Sequence, residues 1–214
     1  MINIKLKNSM KKKILIKKFI VATLGILVLG FGIGMLVKVD IGADSLSATY
    51  QGVSKLTNLS VGTITSLANV IMVIVSLILN KKNVGIATIL FIFLSKWPVD
   101  LGEKLMLTST NIFISILLCL LSIFVIAIGS VLFIISGLGA NAYDTVIIGI
   151  GDCLHKNDSY VYIRWIMDGL LLIVAYFTGG TIGIGTILSF GVIGVFVKII
   201  KKAIEKPLST FINN

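Results

Sequence analysis

Between residues 111 and 136 no charged side chain occurs, and a run of that length limits which solvent the chain can fold in. About 20 apolar residues carry a helix across the hydrocarbon core of a bilayer. Two more uncharged runs, 19–37 and 61–79, are also near that length, while 84–101, 160–178 and 181–197 are shorter or carry one or two charges. With a mean hydropathy of +1.07 and only 13% charged residues, the chain falls outside the range of ordinary soluble domains. In lipid the backbone must satisfy its own hydrogen bonds, so such spans are helical. The sequence therefore predicts an all-α, polytopic helical membrane protein with about six transmembrane helices.

The net charge of +10 does not follow one face, as a nucleic-acid surface would require. Seven of the 19 cations precede residue 19, and four more lie between Lys198 and Lys206. This bias places both termini in the cytoplasm. The expected partner is the lipid bilayer, with no nucleic acid. Lysines before an apolar run also describe a signal peptide. Here the run is long enough to span, and "KVDIGADS" after it offers no A-x-A-like cleavage site, so it reads as a retained first span. The expected organisation is a basic cytoplasmic segment 1–18, one transmembrane domain 19–200 and a cytoplasmic tail 201–214. Cys119 and Cys153 form no CxxC, and no metal or cofactor signature accompanies them.

The chain also repeats itself. "GIATIL" at 85–90 matches "GIGTIL" at 183–188 at five of six positions, and "IGADSLSATYQG" at 41–52 aligns with "LGANAYDTVIIG" at 138–149. Two diverged copies result, at about 20–102 and 111–200. A glycine-rich turn before an apolar stretch can cradle phosphate. Neither copy fits GxGxxG or GxxxxGK[ST], however, and the recurrence at the head of a span in each half suits close helix packing instead.

Asp44 and Asn141 fall at equivalent repeat positions, and both residue types are strong N-caps. Helices of about twelve residues are expected after them, at 45–56 and 142–154. These are too short to cross, so they are either re-entrant or interfacial. Counting cations gives the same bias for six crossings as for eight. Length favours six, which gives each repeat three crossings and inverts the second copy relative to the first. Lys55 is then extracytoplasmic and Lys82 cytoplasmic.

The order Gly-Ala-Asp, "LSVGTI", "GIATIL", then Gly-Ala-Asn-Ala-Tyr-Asp and "GGTIGIGTIL" resembles the YczE/YyaS/YitT-type bacterial integral membrane proteins. The likeness runs from about residue 30 to 200. It departs at Ala43-Asp44-Ser45-Leu46, where the family pattern has a proline-aromatic-Asp group, and at GIAT, where it has GxGT. The resemblance implies a helical protein of the bacterial cell membrane and says little about activity.

Arg164 and Asp168 stand four residues apart inside the fifth span, and Thr65 and Asn69 occupy the equivalent places in the first repeat. An ionisable residue at depth normally faces the bundle interior or a watery cavity. One reading makes these four residues a solute or coupling-ion site, with Arg164 as an anion contact and Asp168 as its partner or a proton carrier. The other makes the pair a register-fixing ion bridge. Asp44, Asn141 and Asp144 join the candidates for substrate or ion binding, with helix capping and first-turn placement as their alternative roles. Lys96 and Asp100 form another pair with i,i+4 spacing, and Tyr143 and Gln51 are polar enough to touch a solute. No catalytic motif is present, which argues against an enzyme. The sequence points to a permease or channel-like protein for a small polar or anionic solute, or else to a non-transporting accessory or assembly factor of the cell envelope.

Overall fold

A computed structural model describes residues 2–79, 84–154 and 160–213. Among them it has nine helices and no strand: α1 (Ile2–Val39), α2 (Ser45–Thr57), α3 (Val61–Leu79), α4 (Ile86–Leu94), α5 (Lys96–Leu105), α6 (Ile112–Ser136), α7 (Ala142–Cys153), α8 (Tyr160–Thr178) and α9 (Ile184–Asn213). Lys82 and His155 lie outside the described residues. Four stretches, Lys12–Val39, Val61–Leu79, Ile112–Ser136 and Ile184–Ile212, are long and apolar enough to cross a membrane. Large apolar side chains point outward, with Phe113 80% and Phe177 79% exposed. Such a surface suits hydrocarbon, which is as apolar as the side chains themselves.

One expected span takes another form. The third, 84–101, is broken into α4 and α5 at Ser95 and continues to Leu105. Pro98 lacks an N–H and crowds the carbonyl four residues before it, which accounts for the break. Asp100 there does not pair with Lys96. Its carboxylate accepts from the Gly62 backbone N–H at 2.8 Å and from the Ser60 hydroxyl at 3.0 Å, and so caps the start of α3. The fifth, α8, is one 19-residue helix that carries both Arg164 and Asp168. Residues 2–18 of the basic segment are helical as the start of α1, and the tail 201–214 continues α9 to Asn213.

Helices α1 and α6 pack antiparallel at the centre, with Gly25 against the backbone of Gly129 and Phe133 and Gly32 against Ile126. Helix α5 lies on α1 through Pro98 at Gly30 and Val99 at Gly34. Small residues here let backbones approach, and the gain is dispersion over a long seam. Helix α9 runs back along the bundle, so that Lys17 of α1 donates to the carbonyl of Phe211 at 2.9 Å. The last turns of α9 therefore lie beside the first half of α1.

The two short helices dock in matching ways. Ile41 O accepts from the Gly185 N–H at 2.9 Å, and Leu138 O accepts from the Ala87 N–H at 3.1 Å. Gly42 (φ +110) sits against Gly183 and Thr186, while Gly139 (φ +143) sits against Gly85 and Thr88. The "GIATIL" and "GIGTIL" elements thus each receive the bend that precedes the other half's short helix. Helix α2 follows the second half of α8, with Thr49 Oγ1 donating to Leu171 O at 2.9 Å and Gly52 lying against Thr178. Helix α7 follows the end of α3, with the Ser76 and Thr145 hydroxyls 2.7 Å apart and Gly149 against Leu79. Because Val61 at the start of α3 clusters with Val37 at the end of α1, α2 and α7 enter the bundle from opposite ends. At 13 and 12 residues, each is about 20 Å long, too short to cross.

Candidate functional site

Where the starts of α2 and α7 approach each other, the bundle encloses a cavity of about 480 Å³. Asp44, Thr65, Asn69, Asn141, Asp144, Arg164 and Asp168 all line it. The sequence placed these residues on four segments, and the fold brings all seven to one space. Most of its polar lining comes from α2, α3, α7 and α8, while α1, α4, α6 and α9 contribute mainly apolar side chains, Ile33, Phe91, Ile126 and Phe190 among them, with Ser130 and Ser189. A mostly apolar cleft with a few convergent polar groups is the usual form of a small-molecule site.

Asp168, 6% exposed, is the hub of the polar lining. Its Oδ1 accepts from the Ser45 hydroxyl at 2.5 Å and the Tyr143 hydroxyl at 2.8 Å, so one carboxylate ties α2 and α7 to α8. Arg164 Nε lies 3.7 Å from Asp168 Oδ2, but its closer partner is Asp144 on α7, with Nη1 and Oδ1 3.0 Å apart. The i,i+4 pair expected from the sequence is therefore the looser half of a three-residue network. The guanidinium also sits over the Tyr143 ring, 5.6 Å from its centroid. That contact adds cation–π attraction to the ion pair.

The equivalent residues of α3 behave differently. Thr65 Oγ1 donates to Val61 O at 2.8 Å and Asn69 Nδ2 donates to Thr65 O at 2.7 Å, so both polar side chains bond back to their own helix. Asp44 is the N-cap of α2, accepting from the Ser47 N–H at 3.4 Å. Asn141 occupies the N-cap position of α7, but its side chain makes no capping bond. Its expected role as a side-chain cap does not hold, and Thr145 N is served by the Asn141 backbone carbonyl at 2.9 Å.

Sequence reasoning passed over Ser45 and Tyr50, which join the polar lining. The helical spacing from Asp44 was the available signal, since residues one and six places on still fall within the same short helix. Gln51, weighed as a solute contact, faces away from this cavity. Its amide donates to Asp40 Oδ1 at 2.7 Å and to Val37 O at 3.2 Å, and its carbonyl accepts from the Thr181 N–H at 2.8 Å. Gln51 lines a second cavity of about 500 Å³ with Lys38, Asp40, Lys55 and Glu103. The adjacent residues Tyr50 and Gln51 thus face two different cavities, and α2 is the partition between them.

A family model described as a family of unknown function, DUF6198, matches residues 16–202. The chain belongs to the DUF6198 family. The matched region includes every residue of the polar lining and both short helices. Two relatives accord with the YyaS-type resemblance. YyaS of Bacillus subtilis, an uncharacterized protein, is 25% identical over 194 residues, covering 88% of this chain and 94% of its own. An uncharacterized protein of Haemophilus influenzae is 26% identical over 171 residues, covering 80% of this chain and 77% of its own. No solved structure matches the chain.

Proposed function

We propose that this DUF6198 protein is a permease or channel-like protein of the bacterial cell membrane, and that a small polar solute passes through the 480 Å³ cavity. The observation that carries the reading is the meeting of two short helices, entering from opposite ends, at a cavity with convergent polar groups. Two inverted repeats with six crossings and both termini in the cytoplasm are part of this reading. The matched docking of Gly42 and Gly139 and the Lys17–Phe211 contact support them. Broken helices at a repeat interface are the usual setting of a transporter's site, because their free N–H groups and partial charges are available to a solute. Arg164 is taken up by two carboxylates, so the geometry favours a polar over an anionic solute. The proposed activity is passage of a solute, with no bond made or broken.

The second reading is an envelope accessory or assembly factor. The observation in its favour is that Asp168 and Arg164 are held by protein groups and can lock α2, α7 and α8 together with no solute. Uptake into proteoliposomes, screened over small polar solutes, separates the two. Saturable uptake supports the permease. Equal leak with and without protein across the whole panel, from a well-folded preparation, removes it.

A further inference from the structure

Among the described residues the lining of the cavity carries more negative than positive charge: Asp44, Asp144 and Asp168 stand against the guanidinium of Arg164. The two helix N-termini add about half a positive charge each, which leaves roughly one negative charge over. Asp144 and Asp168 are the two carboxylates engaged with Arg164. Asp44 forms no ion pair among the described residues, and its donors come from Ser47 of its own helix.

Besides the unused side chain of Asn141, two buried residues of the lining keep a polar atom open. Tyr50 is 4% exposed and Asn69 2% exposed, yet neither the Tyr50 hydroxyl nor the Asn69 Oδ1 has a hydrogen-bond partner among the described residues. Neither atom is itself sealed off, since among the described residues Thr23 Oγ1 is the buried side-chain atom without a partner; both open onto the cavity, where a ligand can meet them. All three groups can accept: a carboxylate, an amide oxygen and a phenol oxygen. A primary ammonium has three N–H donors and one positive charge. Among the described residues no three His, Cys, Asp or Glu side chains stand close enough to hold a metal ion, which turns the choice away from a divalent cation. The apolar lining of Ile33, Phe91, Ile126 and Phe190 suits a hydrocarbon body.

We infer that the cavity binds a small organic ammonium ion, its charged head at Asp44 with Tyr50 and Asn69 and its apolar body against the apolar lining. The inference rests on the reading of this cavity as a solute site.

The test is calorimetric titration of the purified full chain in a non-ionic detergent with butylammonium, with 1-pentanol as a neutral match and butyrate as an anionic one. Butylammonium should bind saturably, and 1-pentanol and butyrate at least about tenfold more weakly, as expected for a charge-assisted contact. Asp44→Asn should weaken butylammonium about tenfold or more, and Tyr50→Phe a few-fold. Butyrate binding as tightly as butylammonium, no butylammonium binding, or unchanged affinity in Asp44→Asn overturns the site. Should Asp44→Asn fail to accumulate, Tyr50→Phe decides, and unchanged affinity in that variant overturns the site equally. Uptake of butylammonium is measured separately. Binding without uptake keeps the ammonium site and removes the permease, whereas uptake of other solutes without ammonium binding does the reverse.

Discussion

Arg164 on α8 reaches Asp144 on α7, with Nη1 and Oδ1 3.0 Å apart, and lies closer to it than to Asp168, its neighbour one turn along the same helix, at 3.7 Å. The guanidinium therefore bridges two helices as well as bracing one. Asp168 in turn is held by Ser45 and Tyr143, so the network joins three elements.

Losing the guanidinium is expected to do the most damage. Arg164→Gln strands two carboxylates, of which Asp168 is buried and Asp144 is partly exposed, so the cost should be about 1–3 kcal/mol, below that of a fully desolvated pair. Asp144→Asn or Asp168→Asn leaves Arg164 with one carboxylate still in place, so each should cost less. The triple neutral variant strands nothing and should recover yield. Thermal unfolding in detergent, followed by size-exclusion fluorescence, ranks the four. Arg164→Gln unfolding no earlier than Asp168→Asn would show that the network holds nothing together.

Ser45→Ala and Tyr143→Phe each delete one donor to Asp168. A hydrogen bond to a charged group contributes about 1.5–3 kcal/mol, so each single change should lower the unfolding midpoint. Because both donors serve one oxygen, the double change should differ from the sum of the two. A double-mutant cycle measures the coupling, and strict additivity would mean that the two contacts act independently.

Glycine substitutions should separate the docking bends from the open helix faces. A Cβ on Gly42 would meet Gly183 N at 2.6 Å, and one on Gly139 would meet the Thr88 hydroxyl oxygen at 2.7 Å; both residues also have positive φ. Gly42→Ala and Gly139→Ala should each cost more than about 2 kcal/mol. Gly191 in α9 has no neighbour within 4 Å, and Gly191→Ala should be neutral or gain up to about 1 kcal/mol of helix propensity. Membrane abundance of tagged variants reads the difference. A well-expressed Gly42→Ala protein would contradict the docking contact.

Crossing number is testable at Lys55. With α2 re-entrant, Lys55 lies at the same end of the bundle as the last turn of α1, and Lys201 lies in the second half of α9, whose last turns run beside the first half of α1. In a background with Cys119→Ala and Cys153→Ser, Lys55→Cys should react with an impermeant maleimide on intact cells, and Lys201→Cys only after permeabilisation. Reaction of Lys55→Cys only after permeabilisation would make α2 a crossing helix and remove the inverted repeat.

The sequence by itself determined what can be read along one segment. Uncharged runs of span length announced the apolar helices, because the bilayer sets their length. Asp44 before a twelve-residue apolar stretch announced α2, because capping is a local bond between neighbours. The spacing of Arg164 and Asp168, with Thr65 and Asn69 at the matching places, pointed to a polar centre.

Only the tertiary structure decided which polar groups meet. Nothing near Arg164 in the chain marks Asp144, 20 residues away, as its closer partner, and nothing near Asp168 marks Ser45, 123 residues away. Asn141 looked like a cap as good as Asp44, yet its side chain is left unused. Pro98 marks the break of the third span within the sequence, but that it packs against Gly30 of α1 is a matter of the fold. Propensity and periodicity report energies within a turn or two of helix, whereas ion-pair choice and the charge left over in a cavity depend on which faces are brought together. That is set by the packing of α2, α7 and α8, and so the surplus carboxylate at Asp44 emerged only once those helices were in place.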